Sequence, residues 1–154
     1  MIKLKIDMNP AGKKNPLKGR YGFYTHPETK KREDVILAAW KTQSQMSFEK
    51  GIPLKLTLIL GYPIPKATSK KQKALMLDGL IRPTVKPDVD NVIKLVLDSL
   101  KGHAFSDDNH FVSFKEPFCK FYAETPFIGV IIEELKEEES RLEVDLAKRI
   151  FDAN

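Results

Sequence analysis

Five aspartates and a lysine with chemical potential crowd into the stretch from Lys86 to Asp108: Asp88, Asp90, Lys94, Asp98, Asp107 and Asp108. Oxygen-rich sites with two or more carboxylates suit Mg²⁺ or Mn²⁺, hard cations that keep several waters and bridge to phosphate. Such ions activate a water and neutralise charge developing on a phosphoryl centre, which is the chemistry of phosphodiester hydrolysis. On this reading Asp88, Asp90 and Asp108 are metal ligands, with the choice between Asp107 and Asp108 open. Lys94, one helical turn from Asp90, would lie near the metal-bound phosphate and stabilise the transition state or position the attacking water. Each residue also has a plain structural role: Asp88 as an N-cap, Asp90 and Lys94 as a surface i,i+4 pair, Asp107-Asp108-Asn109 as a turn. Their gathering along one edge of an otherwise apolar helix favours the metal.

Other chemistries fit less well. Zinc would want Cys and His, and His26, His103 and His110 form no ligand pair at a useful spacing. Neither a G-x-S-x-G elbow nor a G-x-x-x-x-G-K-[ST] phosphate loop occurs. The D-x-D-N order at 88–91 resembles the start of an EF-hand loop, but Val92-Ile93 stands where that loop needs polar residues and glycine.

The element that must carry the acids reads as a helix beginning near Asp88. At about 100° per residue, Val89, Val92, Ile93, Leu95, Val96, Leu97 and Leu100 fill one broad arc. Asp90, Asn91, Lys94, Asp98 and Lys101 fill the other. Pro87 and Asp88 signal the start, and Gly102 the stop.

At 154 residues the chain is read as one domain with room for a substantial core. The net charge of +5 hides an asymmetry: residues 1–132 hold 22 Lys and Arg against 13 Asp and Glu, whereas residues 133–154 hold 4 against 8. A basic body with a local acidic cluster fits a polyanion partner approached through a metal. No apolar run approaches the roughly 18–20 residues needed to cross a bilayer, so no membrane partner is expected. The N-terminus lacks the apolar core of a secretory signal, and the single Cys119 cannot form an intrachain disulfide, which makes the cytoplasm the expected location.

Around the acidic helix, Ile2, Leu4 and Ile6 alternate with lysines as a half-buried strand, and Asn9 to Gly22 reads as a basic loop. A helix is expected from Pro27 or Glu28 to about Phe48, offering Val35, Leu37, Ala38, Ala39, Trp40 and Met46 to the core. Leu54 to Leu60 forms a second strand ended by Pro63 and Pro65. Residues 66–80 form a short basic helical segment. Between 66 and 86 the six cations Lys66, Lys70, Lys71, Lys73, Arg82 and Lys86 face one acid, which makes them candidates for a phosphate-binding flank. Phe111 to Phe121 and Phe127 to Ile132 read as two further strands, with Pro117 marking an end or bulge. Glu137 to Phe151 reads as an acidic amphipathic helix for packing or dimerisation.

The run K-P-D-V-D-N-V-I-K-L-V-L-D-S-L, followed after a short turn by D-D, resembles the RusA family of Holliday junction resolvases, many of them carried by phages and prophages. Asp88, Asp90, Asn91, Lys94, Asp98, Leu100 and Asp107-Asp108 carry the likeness, with Tyr24-Thr25 and Pro27 matching more loosely. The resemblance implies a small α+β fold with a mixed sheet packed with helices, a homodimer, and Mg²⁺- or Mn²⁺-dependent paired nicking of four-way DNA junctions. It implies metal binding by Asp88, Asp90 and Asp108 and a catalytic role for Lys94. A non-catalytic junction-binding protein and a nuclease for another DNA substrate are the rival readings.

Overall fold

The computed structural model describes residues 1–152. Its elements in chain order are β1 (Ile2–Ile6), β2 (Leu17–Gly19), β3 (Gly22–Tyr24), α1 (Pro27–Gln43), β4 (Leu54–Pro63), α2 (Lys70–Leu77), α3 (Val89–Leu100), β5 (Phe111–Phe114), β6 (Cys119–Ala123), β7 (Phe127–Glu134) and α4 (Glu137–Asp152). This is a mixed α+β fold. A single 3₁₀ turn, Asp108–His110, precedes β5.

The main sheet runs β1-β7-β4, antiparallel throughout, and then turns parallel where β5 and β6 share the remaining edge of β4. β5 takes the Leu54–Leu56 part of that edge and β6 the Ile59–Pro63 part. The strand expected over 111–121, with Pro117 marking an end or bulge, is divided here into β5 and β6. Pro117 lacks an N–H, and the chain breaks its ladder around it, with Lys115 N–H still reaching Leu56 O at 2.9 Å. The parallel pairing requires a long crossover, and α2 and α3 supply it.

α3 covers the sheet with the arc expected from its period: Val92, Leu95, Val96 and Leu100 are fully buried, and Val89 and Ile93 pack against the core. Ser99 is buried too and donates its hydroxyl to Leu95 O, so no polar group is stranded there. Ile2, Leu4 and Ile6 of β1, and Leu54, Leu56, Leu58 and Leu60 of β4, complete the same core. With a buried Leu→Ala change costing about 2–5 kcal/mol, this seam fixes where the polar edge of α3 lies.

Three expectations need correction. α1 stops at Gln43 rather than Phe48: Ser44 and Gln45 both donate to Trp40 O, and Gln45 turns left-handed at φ 60°. Its buried face is centred on Ile36, while Val35, Ala38 and Met46 are exposed. Trp40 does pack against the core, donating its indole N–H to Met46 O at 2.9 Å. The loop at 9–22 holds one arm of the β2-β3 hairpin, with Tyr21, Phe23 and Tyr24 exposed.

α4 is joined to the sheet by polar contacts. Lys55, buried within β4, pairs with Glu139, and Ser113 donates to Glu143 at 2.7 Å. Its Leu142, Leu146 and Ile150 remain exposed. No described helix is long and apolar enough to cross a membrane.

Candidate metal and DNA-binding site

The chain enters α3 through Pro87 and Asp88. Asp88 has the extended backbone of an N-cap (φ −70°, ψ 150°), yet its carboxylate accepts no capping hydrogen bond. An aspartate at that position ordinarily accepts an N–H from the first turn. Here the carboxylate stays available to a ligand, next to the positive end of the helix dipole. Asp90 lies one residue into the helix, and Lys94 one turn further along; both are exposed.

β4 fixes this entrance from below. The buried hydroxyl of Tyr62 donates to the carbonyl oxygen of Pro87. Burial, and then the negative charge of Asp88, push the Tyr62 phenol above its usual pKa, which keeps it a donor. Asp98, two turns down the helix, is ion-paired with Lys13.

Asp107 and Asp108 sit elsewhere. Asp107 accepts the Asp108 N–H at 2.8 Å and starts the 3₁₀ turn. Lys101 Nζ lies 2.8 Å from Asp107 and 3.0 Å from Asp108. That hydrogen bond from Lys101, with a second involving Asp108, holds the Asp107 carboxyl down at about 2, and the Lys101 ammonium is shifted upward in turn. The turn leads straight into Phe111, which pairs with Leu54 at the start of β4, whereas Asp88 stands over Tyr62 near its end. The eight residue steps from Leu54 to Tyr62 correspond to on the order of 25 Å of strand. Accordingly, among the described residues no three of His, Cys, Asp and Glu gather to hold a metal.

Mg²⁺ is commonly held by one or two carboxylates, with waters and substrate phosphate completing its shell. Asp88 and Asp90, flanking one helical turn with Asp88 uncommitted, fit that donor set. Asp108 of the same chain does not join them.

The basic residues of 13–20 and 30–32 are expected against DNA from the sequence, but their place beside Asp88 is not legible there. Pro10 to Lys14, with Arg32, Lys86, Pro87, Asp88 and Asn91, surrounds an open cavity of about 400 Å³. Lys13, Lys14 and Arg32 come from chain segments that only tertiary folding brings to Asp88. The run of lysines in 13–20 was the available signal.

Of the expected phosphate contacts, Lys66, Lys70, Lys71 and Lys73 leave the Pro63 end of β4, the same end as Asp88. Lys66 and Lys73 line a hollow with Glu124, and Lys73 pairs with that acid at 3.6 Å. Lys70 and Lys71 are exposed in the first turn of α2. Lys86 borders the cavity at Asp88. Arg82 is used differently: its guanidinium donates to Lys120 O at 2.9 Å and Gly79 O at 3.3 Å, tying the exit of α2 to β6.

The uncharacterized protein YqaN of Bacillus subtilis (strain 168) is 41% identical over 85 residues, which make up 54% of this chain and 58% of that protein. The chain therefore matches a little over half the length of this relative. The family described as Endodeoxyribonuclease RusA matches residues 7–133, from just after β1 into β7, leaving β1 and α4 outside. With that match spanning the cavity, α2, the acidic helix and the Asp107-Asp108 turn, the chain belongs to the RusA endodeoxyribonuclease family.

Proposed function

We propose that this protein is a structure-selective endodeoxyribonuclease that resolves four-way (Holliday) junctions in DNA recombination and repair. It acts as a cytoplasmic homodimer and uses Mg²⁺, with Mn²⁺ as a substitute. The whole chain over 1–154 is read as one functional domain. The observation that carries the reading is the Asp88–Asp90 pair at the mouth of α3, with the Asp88 carboxylate unbonded and Lys94 one turn away.

Bound there, a divalent cation supplies Lewis-acid chemistry at a phosphodiester. The chain's own residues do the rest. Asp88 and Asp90 hold the cation. Lys94 projects from the same helix edge and offers positive charge where negative charge develops on the phosphoryl oxygens. Lys66, Lys70, Lys71, Lys73 and Lys86 draw the DNA backbone to that end of the sheet, so affinity falls as salt rises. Arg82 supports this surface indirectly by fixing α2 against β6.

Asp108 enters the reading through dimerisation. Separated from Asp88 along β4 within one chain, it can complete a three-carboxylate site only from a second copy. A C₂ dimer makes the exchange mutual: Asp108 of the partner subunit joins Asp88 and Asp90, and the reverse. Two equivalent sites then face the two equivalent strands of a four-way junction.

Incubation of the protein with a synthetic four-way junction and with linear duplex of the same sequence, each with Mg²⁺, tests the proposal. Paired symmetric nicks confined to the junction are expected. Binding of the junction without cutting in Mg²⁺ or Mn²⁺ would instead establish a binding protein, and equal cutting of linear duplex a less selective nuclease.

A further inference from the structure

We propose that the cavity beside Asp88 is a dedicated subsite for a DNA backbone phosphate, built by a clamp that Asn91 makes on the N-terminal loop. The inference deepens the nuclease reading above and rests on it for the identity of the phosphate's owner.

The loop from Pro10 to Lys14 has no regular hydrogen bonding of its own. Side chains from two helices hold its backbone. Asn91 of α3 accepts the Lys13 N–H at 3.2 Å and returns its amide N–H to Lys13 O at 3.3 Å, a two-way bond to the backbone of a single residue. From α1, Arg32 donates to Gly12 O at 2.8 Å, and the buried Thr29 hydroxyl accepts the Lys14 N–H at 2.9 Å. The approach is so close that a Cβ on Gly12 would lie 2.2 Å from Asn91 Nδ2 and 2.4 Å from its Cγ. Any larger residue at position 12 would have to displace the Asn91 side chain and so break the clamp.

A loop needed only to cover α3 would have no reason to gather cations. This one brings Lys13 and Lys14 to the cavity rim with Arg32 and Lys86, immediately beside Asp88. Asp98 pairs with Lys13, and Glu28 lies between Lys14 and Arg32. Four cations thus stand against Asp88, Asp98 and Glu28, one positive charge in excess, which suits a singly charged phosphodiester. The surplus sits in a hollow rather than on a flat face, so it selects a compact anion adjoining the metal-binding carboxylates. Asn91 touches no substrate in this scheme; it is a positioning residue for Lys13 and Lys14.

Titration of the full-length protein with inorganic phosphate, read by amide resonances of residues 12–14, tests the subsite without any DNA. Saturable shifts are expected in the wild type. Asn91→Ala removes no charge yet should weaken phosphate binding at least about fivefold, as should Lys86→Gln, whose side chain takes no part in the clamp. The salt slope of four-way junction binding should fall in each variant by about one unit, the signature of one lost phosphate contact. A merely structural clamp would lower the melting temperature of Asn91→Ala and leave that slope alone. Absence of phosphate shifts in the wild type, or phosphate affinity unchanged in both variants, overturns the inference. Phosphate binding that is lost in both variants, in a protein that cuts no junction, would uphold the subsite and fail only the resolvase reading.

Discussion

The Tyr62 hydroxyl of the central strand donates to the carbonyl oxygen of Pro87, one residue before Asp88, and so sets the height at which the acidic helix begins. The strand that organises the sheet thereby also positions the first carboxylate of the proposed metal site. Removing the donor with Tyr62→Phe leaves the ring in its place and deprives the half-buried Pro87 carbonyl of its partner. A loss of about 1–2 kcal/mol in stability is expected, measurable by urea denaturation, together with reduced nicking at saturating junction. Full activity with unchanged stability would detach Tyr62 from the site.

The proposed exchange of Asp108 between subunits has a sharp signature in mixed dimers. Asp90→Asn and Asp108→Asn homodimers should both be inactive in Mg²⁺. Mixed by unfolding and refolding together, they form heterodimers in which one site recovers all three carboxylates, so single nicks should return to about a quarter of the wild-type rate, since half the dimers then carry one intact site of the usual two. If each site were built from one chain, every site in the mixture would carry a defect and no cutting would return.

The Lys101–Asp107–Asp108 cluster predicts a particular acid sensitivity. Asp107 has a depressed carboxyl in the folded protein, so its stabilisation is fully present above the unfolded value near 3.8 and is lost as pH falls toward about 2. Glu139, lowered by its bond from Lys55, acts with the same sign below its ordinary 4.5. Lys101→Met should flatten the acid limb of a plot of stability against pH in the window from 3.8 down to about 2, leaving the plateau near neutrality with the same slope. An unchanged acid limb would show that Lys101 does not govern Asp107.

The cations on and beside α2 should act on affinity rather than chemistry. Replacing Lys70, Lys71 and Lys73 together with Ala is expected to weaken junction binding and to reduce its salt slope by about two to three units, by roughly one per lost contact, with little change in nicking rate at saturation. An unaltered slope in a filter-binding or anisotropy series would remove α2 from the DNA surface.

The acidic helix was legible because its apolar period is strong and its ends carry Asp88 and Gly102, so pattern and tertiary burial agree. α1 was legible in existence but not in phase: its apolar positions are scattered, and burial of Ile36 was decided by contact with α3 and β1. The β2-β3 hairpin escaped notice because it buries none of the side chains that make a strand pattern visible. Asp88, Asp90 and Lys94 could be placed together from helical spacing alone. Closeness of Asp107-Asp108 to Asp88 in sequence does not become closeness within one chain, since the turn after α3 delivers them to the far end of β4. Lys13, Lys14 and Arg32 reach Asp88 through tertiary contacts such as the Lys13–Asn91 bond, 78 residues apart in the chain, which no local pattern encodes.

Cleavage of a synthetic four-way junction by the wild type and by Asp90→Asn, with Mg²⁺ and with EDTA, tests the central claim most directly. Symmetric paired nicks by the wild type in Mg²⁺ alone are predicted, with Asp90→Asn binding the junction as tightly and cutting it at least about a thousandfold more slowly. Undiminished cutting by Asp90→Asn, or cutting by the wild type in EDTA, would contradict the assignment of the α3 carboxylates as the metal site.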